Sequence, residues 1–271
     1  MTNLTTPKDH YLLGVSKSTL TRYTLFDEIY QPATAERFAT LPVRADMTVL
    51  EVGCGIGDTA CYLAKQVVPN GHVVAFDQSR ELVELGRQRA ADGGIDNIEF
   101  VCATAQEFQF DKECFDLAHT RFVLSYMRDA RAIVSKIYAA LRDSGIFLGE
   151  EIFQAYIKRN EPKWFRDIAT WFARLIEISG GDPNYGLEKL PSDMLEAGFK
   201  DLKVTAHCPV RDQAKIAEML RLALANEMSK ALVDAKLATE KEIDDDVAEM
   251  MRLPKDTYIS VCMVAQVSGS K

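Results

Sequence analysis

From residue 47 onward the chain alternates short β-type runs with helix-type segments, and this rhythm narrows the possible folds more than any other feature. The runs 48–52, 72–76, 98–101, 115–119 and 145–149 are too short for buried helices and carry β-branched and aromatic residues. Between them, 58–67, 80–91 and 130–141 place apolar side chains at helical spacing, as Ile133, Ile137 and Leu141 do. Strand–helix–strand units of this length join parallel neighbours, so an α/β fold with helices on both faces of the sheet is expected. Further strands are expected at 201–207 and 258–267, separated by a helical stretch over 212–251. The 271 residues allow one large domain or two small ones. With no repeat, linker or break in composition, one domain with insertions is the expectation.

Composition excludes several classes. Forty acidic against 32 basic residues give a formal net charge of −8, which argues against binding along a nucleic-acid backbone. No stretch reaches the roughly 18 apolar residues of a membrane helix, and the first ten residues are polar; a cytoplasmic protein is expected. The six cysteines are scattered without a Cys-x-x-Cys pair, which suits reduced thiols and neither a disulfide frame nor a zinc site.

The chemistry is concentrated where the first strand, Val49-Leu50-Glu51-Val52, runs into Gly53-Cys54-Gly55-Ile56-Gly57-Asp58 and then a helix. Such a loop turns sharply and brings bare backbone close to a nucleotide-like ligand. The spacing is Gly-x-Gly-x-Gly, not the Gly-x-Gly-x-x-Gly of a dinucleotide site, and Glu51 and Asp58 flank it. Two carboxylates repel a pyrophosphate and suit a cationic ligand. Asp77, twenty residues after Gly57 at the end of the second strand, is placed to accept hydrogen bonds from both ribose hydroxyls.

In this order and spacing the chain resembles the class I S-adenosylmethionine (SAM)-dependent methyltransferases, in the branch of quinone-biosynthesis C-methyltransferases and antibiotic-tailoring enzymes, over about residues 47–150. The resemblance implies a Rossmann-like seven-stranded sheet, mostly parallel with the last strand antiparallel. It implies an N-terminal helical lid over 1–46 and a methyltransferase domain over 47–271 with helical cap insertions at about 152–190 and 211–253. SAM would be the donor and S-adenosylhomocysteine the product. Glu51, Gly53, Cys54, Gly55 and Gly57 would border its methionine part, and Asp77 and Gln78 its ribose. Where relatives carry Gly-Asp-Ala after the third strand, this chain has Ala103-Thr104-Ala105-Gln106. The acid is missing, so adenine would fall to Thr104, Ala105 or Gln106. Backbone around Thr120 and Arg121 would face the cofactor, and the run beginning at Tyr11 would fold over it, with Arg22 paired to the SAM carboxylate.

For the acceptor, the resemblance implies a small, apolar or aromatic metabolite; a homodimer is compatible with it. His119, at the end of the fourth strand, is the candidate general base for an O-methylation. Tyr126, Glu151, Trp164 and Trp171 are candidate pocket residues, the tryptophans lying in an aromatic-rich cap stretch at the helical spacing of a cap core. The sequence His119-Thr120-Arg121 offers no carboxylate set for Mg²⁺, so no metal is expected. A reductase using NADP, an RNA methyltransferase and a non-catalytic SAM-binding protein remain alternatives.

Overall fold

The computed structural model describes residues 18–153, 162–224, 228–254, 256, 258–260 and 262–271. In chain order the elements are α1 (Thr19–Phe38), β1 (Thr48–Val52), α2 (Asp58–Gln66), β2 (His72–Asp77), α3 (Arg80–Asp92), β3 (Ile98–Cys102), β4 (Phe115–Arg121), α4 (Ala130–Ala140) and β5 (Leu141–Phe153). Then come α5 (Lys163–Ser179), α6 (Tyr185–Glu188), α7 (Leu190–Ala197), β6 (Lys200–His207), β7 (Val210–Asp212), α8 (Gln213–Ala223), α9 (Ser229–Asp234), α10 (Glu240–Met251), β8 (Tyr258–Ser260) and β9 (Met263–Ser270). Among the described residues no helix is long and apolar enough to cross a membrane.

Seven strands form one sheet in the order β3-β2-β1-β4-β5-β9-β6. The pairs β1–β2, β2–β3, β1–β4 and β4–β5 are parallel, and β9 runs antiparallel to both β5 and β6, which is the expected fold class. The expected strand over 258–267 is divided. Its first part, β8, pairs with β7 in a separate two-stranded ribbon, and only β9 enters the main sheet. Apolar residues continue across the break, so periodicity alone could not reveal that the chain changes sheets there.

The two-residue period of the strands sorts their side chains onto two faces. Val49, Leu117 and Leu148 join Leu63 of α2 and Val83 of α3 in one core, which also takes in Phe38 of α1. Their neighbours Leu50, Ala118 and Phe147 face the opposite side, against Ile133 and Ile137 of α4 and Leu190 and Met194 of α7. Each fully buried Leu among them contributes about 1.5–3 kcal/mol. A third core joins Ile29 and Tyr30 of α1 to Trp164, Trp171 and Leu175 of α5, Ile216 of α8, and Ile243 and Met250 of α10. The N-terminal helix and the cap helices therefore share one apolar cluster.

Strand order reverses between β1 and β4, where the chain has filled one half of the sheet and starts the other. The carboxyl ends of the strands at such a switch point are where open α/β sheets bind ligands.

Candidate active site

Gly53, Gly55 and Gly57 follow β1 at φ 71°, 52° and 77°, a backbone region that L side chains rarely adopt. The Gly53 and Cys54 amides both donate to the Phe76 carbonyl at 2.9 Å, which fastens the loop to β2. Gly57 has a second constraint, because a Cβ there would lie 2.8 Å from Cζ of Phe100. Beyond the loop, α2 begins at Asp58. Cys54 is buried, and burial, with Asp77 and Glu51 nearby, pushes its thiol well above the ordinary range. It is a packed thiol, not a nucleophile.

Asp77 stands at the tip of β2, as expected. Its Oδ2 accepts from the Gly55 amide at 3.0 Å and its Oδ1 from the Ser79 amide at 2.9 Å. Burial raises its pKa, opposed by the amides of Ser79, Gly55 and Gln78. Each oxygen keeps acceptor capacity for a further donor, and Gln78 beside it is exposed. The next strand end is laced to this one, with the Ala103 amide donating to the Asp77 carbonyl at 3.0 Å. The Thr104 hydroxyl donates to Glu107 at 2.9 Å, closing a turn in which Ala105 is buried and Gln106 exposed. Thr104 is thus engaged within its own turn, and Gln106 is the polar side chain that the turn presents.

Glu51 and Asp58 prove to be less exposed as charges than the sequence suggests. Oε2 of Glu51 lies 2.8 Å from Nδ1 of His119, and Oδ1 of Asp58 lies 2.5 Å from Nη2 of Arg89. Both carboxylates have internal cationic partners, so repulsion of a pyrophosphate is weaker than sequence reasoning implied. The other nitrogen of His119, Nε2, lies 2.9 Å from Oε2 of Glu150. The ring is fully buried and both nitrogens are taken by carboxylates. Burial alone would lower the His119 pKa, but Glu51 and Glu150 outweigh it and raise the value to about 9. A cation in that setting has no nitrogen with which to deprotonate an acceptor, and the general-base expectation for His119 is corrected on this geometry.

Arg121 ends β4 and reaches α1 with its side chain, donating to Gln31 at 2.8 Å and to Asp27 at 3.0 Å. The adjacent Thr120 is fully buried, and among the described residues its hydroxyl has no hydrogen-bond partner. Arg22 of α1 is buried with its guanidinium 4.3 Å from the ring centre of Tyr23, and the Tyr23 ring comes within 3.0 Å of the position a Cβ would take at Gly55. Tyr23 of this helix thus lies against the glycine loop. Tyr11 lies outside the described residues.

The expected pocket residues fare differently. Glu151 is fully buried, and its carboxylate accepts from the amides of Val123 and Leu124 at 3.0 and 2.8 Å and from the amide and hydroxyl of Ser125 at 3.1 and 2.7 Å. Four donors make it the anchor of the loop after β4, not a substrate contact. Trp164 has no exposed surface and Trp171 is buried, and both are packed into the cap core among the described residues. Tyr126 is half-buried, 6.1 Å from the Phe172 ring.

Sequence reasoning missed Asp27, Gln31, Thr34 and Gln266. They are ordinary polar residues whose partners lie about a hundred positions away in the chain, and no local pattern marks them. A narrow crevice where α1 crosses the strand ends is lined by Tyr30, Thr34, Arg121, Phe122, Glu150 and Gln266, among others.

These residues fit an adenosine-bearing ligand. The glycine loop presents backbone, Asp77 is held at the strand tip, and the Thr120 hydroxyl is a buried donor without a partner among the described residues.

Comparison with known proteins points the same way. The model of a family described as a methyltransferase domain matches residues 44–182. A demethylmenaquinone methyltransferase of Listeria welshimeri is 25% identical over 186 residues, covering 64% of this chain and 78% of that protein. Among solved structures, the YcgJ protein of Bacillus subtilis superposes with a TM-score of 0.61 at 16% identity, covering 89% of this chain and 98% of that one. A phosphoethanolamine N-methyltransferase of Haemonchus contortus, solved with phosphomonomethylethanolamine and S-adenosylhomocysteine, gives 0.60 at 16% identity, covering 94% of this chain and 58% of that one. At such identities the structures establish a shared fold.

Proposed function

The chain belongs to the methyltransferase-domain family, and on that premise we propose that it moves a methyl group from SAM to a small metabolite. The observation that carries this reading is Asp77, fixed at the tip of β2 and hydrogen-bonded to the glycine loop at the point where strand order reverses. Asp77 and Gln78 would hold the ribose, the turn at Thr104, Ala105 and Gln106 the adenine, and Gly53 to Gly57 with Thr120 the methionine end. Arg22 of the covering helix is the candidate partner for the methionine carboxylate.

When bound there, SAM would supply an electrophilic methyl carbon open to in-line attack by the acceptor's nucleophilic atom, with S-adenosylhomocysteine as the leaving group. The chain's own residues bind, orient and exclude water. The glycine loop and β4 fix one wall, while Tyr23, Gln31 and Thr34 of α1 cover it. Holding both reactants in a near-attack geometry supplies several kcal/mol of the barrier without a catalytic side chain. That suits a site in which His119 is bound by two carboxylates.

The net charge of −8 supports a small acceptor over RNA. The likeness to the demethylmenaquinone enzyme supports a planar, partly apolar one. Calorimetric titration with S-adenosylhomocysteine and, separately, NADPH tests the donor. Binding of the former alone is expected, and binding of NADPH alone overturns the reading. Transfer of labelled methyl from SAM into a small-molecule extract, and none into total RNA, is the expected outcome for the acceptor.

A further inference from the structure

His119 bridges two carboxylates that belong to opposite sides of the site, and a neutral imidazole cannot make both bonds. It carries one N–H, whereas both ring nitrogens lie within 2.9 Å of a carboxylate oxygen. With Glu51 and Glu150 ionised, the bridge therefore needs the imidazolium. One carboxylate sits on β1, directly before the glycine loop. The other, Glu150 on β5, is the carboxylate to which the covering helix is tied. Thr34 of α1 donates to its Oε2 at 2.8 Å, and Gln266 of β9 donates to its Oε1 at 2.6 Å and to the Ala33 carbonyl of α1 at 3.2 Å. The Phe38 ring of α1 packs against the cluster, its centre 5.1 Å from that of the His119 ring.

We propose that His119 is a positioning residue, a buried cation that holds Glu51 and Glu150 together and thereby keeps α1 fastened over the glycine loop. This rests on the donor site assigned above. Loss of the ring proton would leave one nitrogen lone pair facing a carboxylate and two acidic groups without a shared counter-ion, and the link to α1 would loosen. The charged groups facing this cluster come from every element packed on it. They are Glu51 of β1, Glu150 of β5, and, acting on Glu150, Arg121 of β4 and Arg37 of α1, while β9 contributes the neutral Gln266. Binding of the cofactor product should therefore weaken on the alkaline side.

The test combines ring-nitrogen NMR of the whole protein with calorimetric binding of S-adenosylhomocysteine between pH 7 and 10. The ring should be doubly protonated at pH 7 and titrate near pH 9. If the protonated form is the binding-competent one, the dissociation constant weakens about tenfold between pH 7 and pH 10. His119→Gln should bind weakly and keep only the pH dependence that titration of the ligand's own amine produces. Thr34→Val, which leaves both His119 contacts in place, should bind several-fold more weakly with the ring still doubly protonated at pH 7, and Thr34→Ser should restore binding. A neutral ring at pH 7 overturns the proposal, as does a folded His119→Gln variant with wild-type affinity and pH profile. Absence of S-adenosylhomocysteine binding at every pH overturns the donor assignment instead. The NMR signals, with the rate of tryptic cleavage within α1 in wild type and His119→Gln, then still decide whether the cation fastens the helix.

Discussion

The Gly55 amide donates to Oδ2 of Asp77 at 3.0 Å, so the tip of β2 and the glycine loop after β1 form one unit across 22 positions of sequence. Asp77 has two tasks in this arrangement, because the carboxylate that would meet the ribose also shapes the loop that would meet the methionine end. Asp77→Ala is expected to weaken S-adenosylhomocysteine binding by about 1–3 kcal/mol, and Asp77→Asn, which keeps an oxygen for the Gly55 amide, by less. Calorimetry on both variants checks this, and an unchanged dissociation constant for Asp77→Ala would remove Asp77 from the site.

Gly57 and Gly94 share a positive φ, 77° and 63°, but differ in what surrounds them. A Cβ at Gly57 would lie 2.8 Å from the Phe100 ring, while nothing lies within 4 Å at Gly94. Gly94→Ala should therefore cost only the backbone strain, about 1 kcal/mol, and Gly57→Ala about 1–3 kcal/mol more through overpacking. Urea unfolding of the two variants measures the difference, and equal losses would show that Phe100 yields freely.

Glu151 satisfies three amides and one hydroxyl in the loop after β4. Glu151→Leu strands those buried donors and should destabilise the protein by about 3–4 kcal/mol, with Glu151→Gln roughly half as harmful. Thermal unfolding decides between this anchoring role and a substrate contact, since loss of a contact alone would leave the midpoint unchanged.

Asp58 supplies a pH test. Burial, with Asp27 nearby, raises its pKa from 3.8 to about 7 against the opposing pull of Arg89 and Arg121. A carboxyl with a raised folded pKa favours folding in its protonated form, and that contribution is full below about pH 4 and lost as pH rises through 7. Asp58→Asn, which cannot ionise, should therefore unfold at a higher temperature than wild type at pH 8. The gap should close toward pH 4. Arg89 offsets only part of the desolvation cost, because its side chain is 39% exposed and solvent screens the pair. A variant less stable than wild type at pH 8 would show that the ion pair outweighs the desolvation of Asp58.

Much of this was legible in the residues. The runs at 48–52, 72–76 and 98–101 became β1, β2 and β3 to within one residue, because strand and helix periods are local and the parallel arrangement follows from their alternation. The break between β8 and β9 was not legible, since which sheet a strand joins depends on partners far along the chain. The same reason explains Glu151, whose four donors lie 26 to 28 positions away, and the tryptophans, whose helical spacing fits a core and a pocket equally well.

By itself the sequence determined the α/β class, the glycine loop and the acid at the end of the second strand, because each is a pattern over neighbouring residues. Only the tertiary structure decided what the charges do. Glu51 meets His119 across 68 positions, and Thr34 meets Glu150 across 116. Those pairings give Glu51 a counter-ion, tie Glu150 to α1, and turn a candidate base into a buried cation. A carboxylate's charge is written in the sequence, but its counter-ion is chosen by the fold.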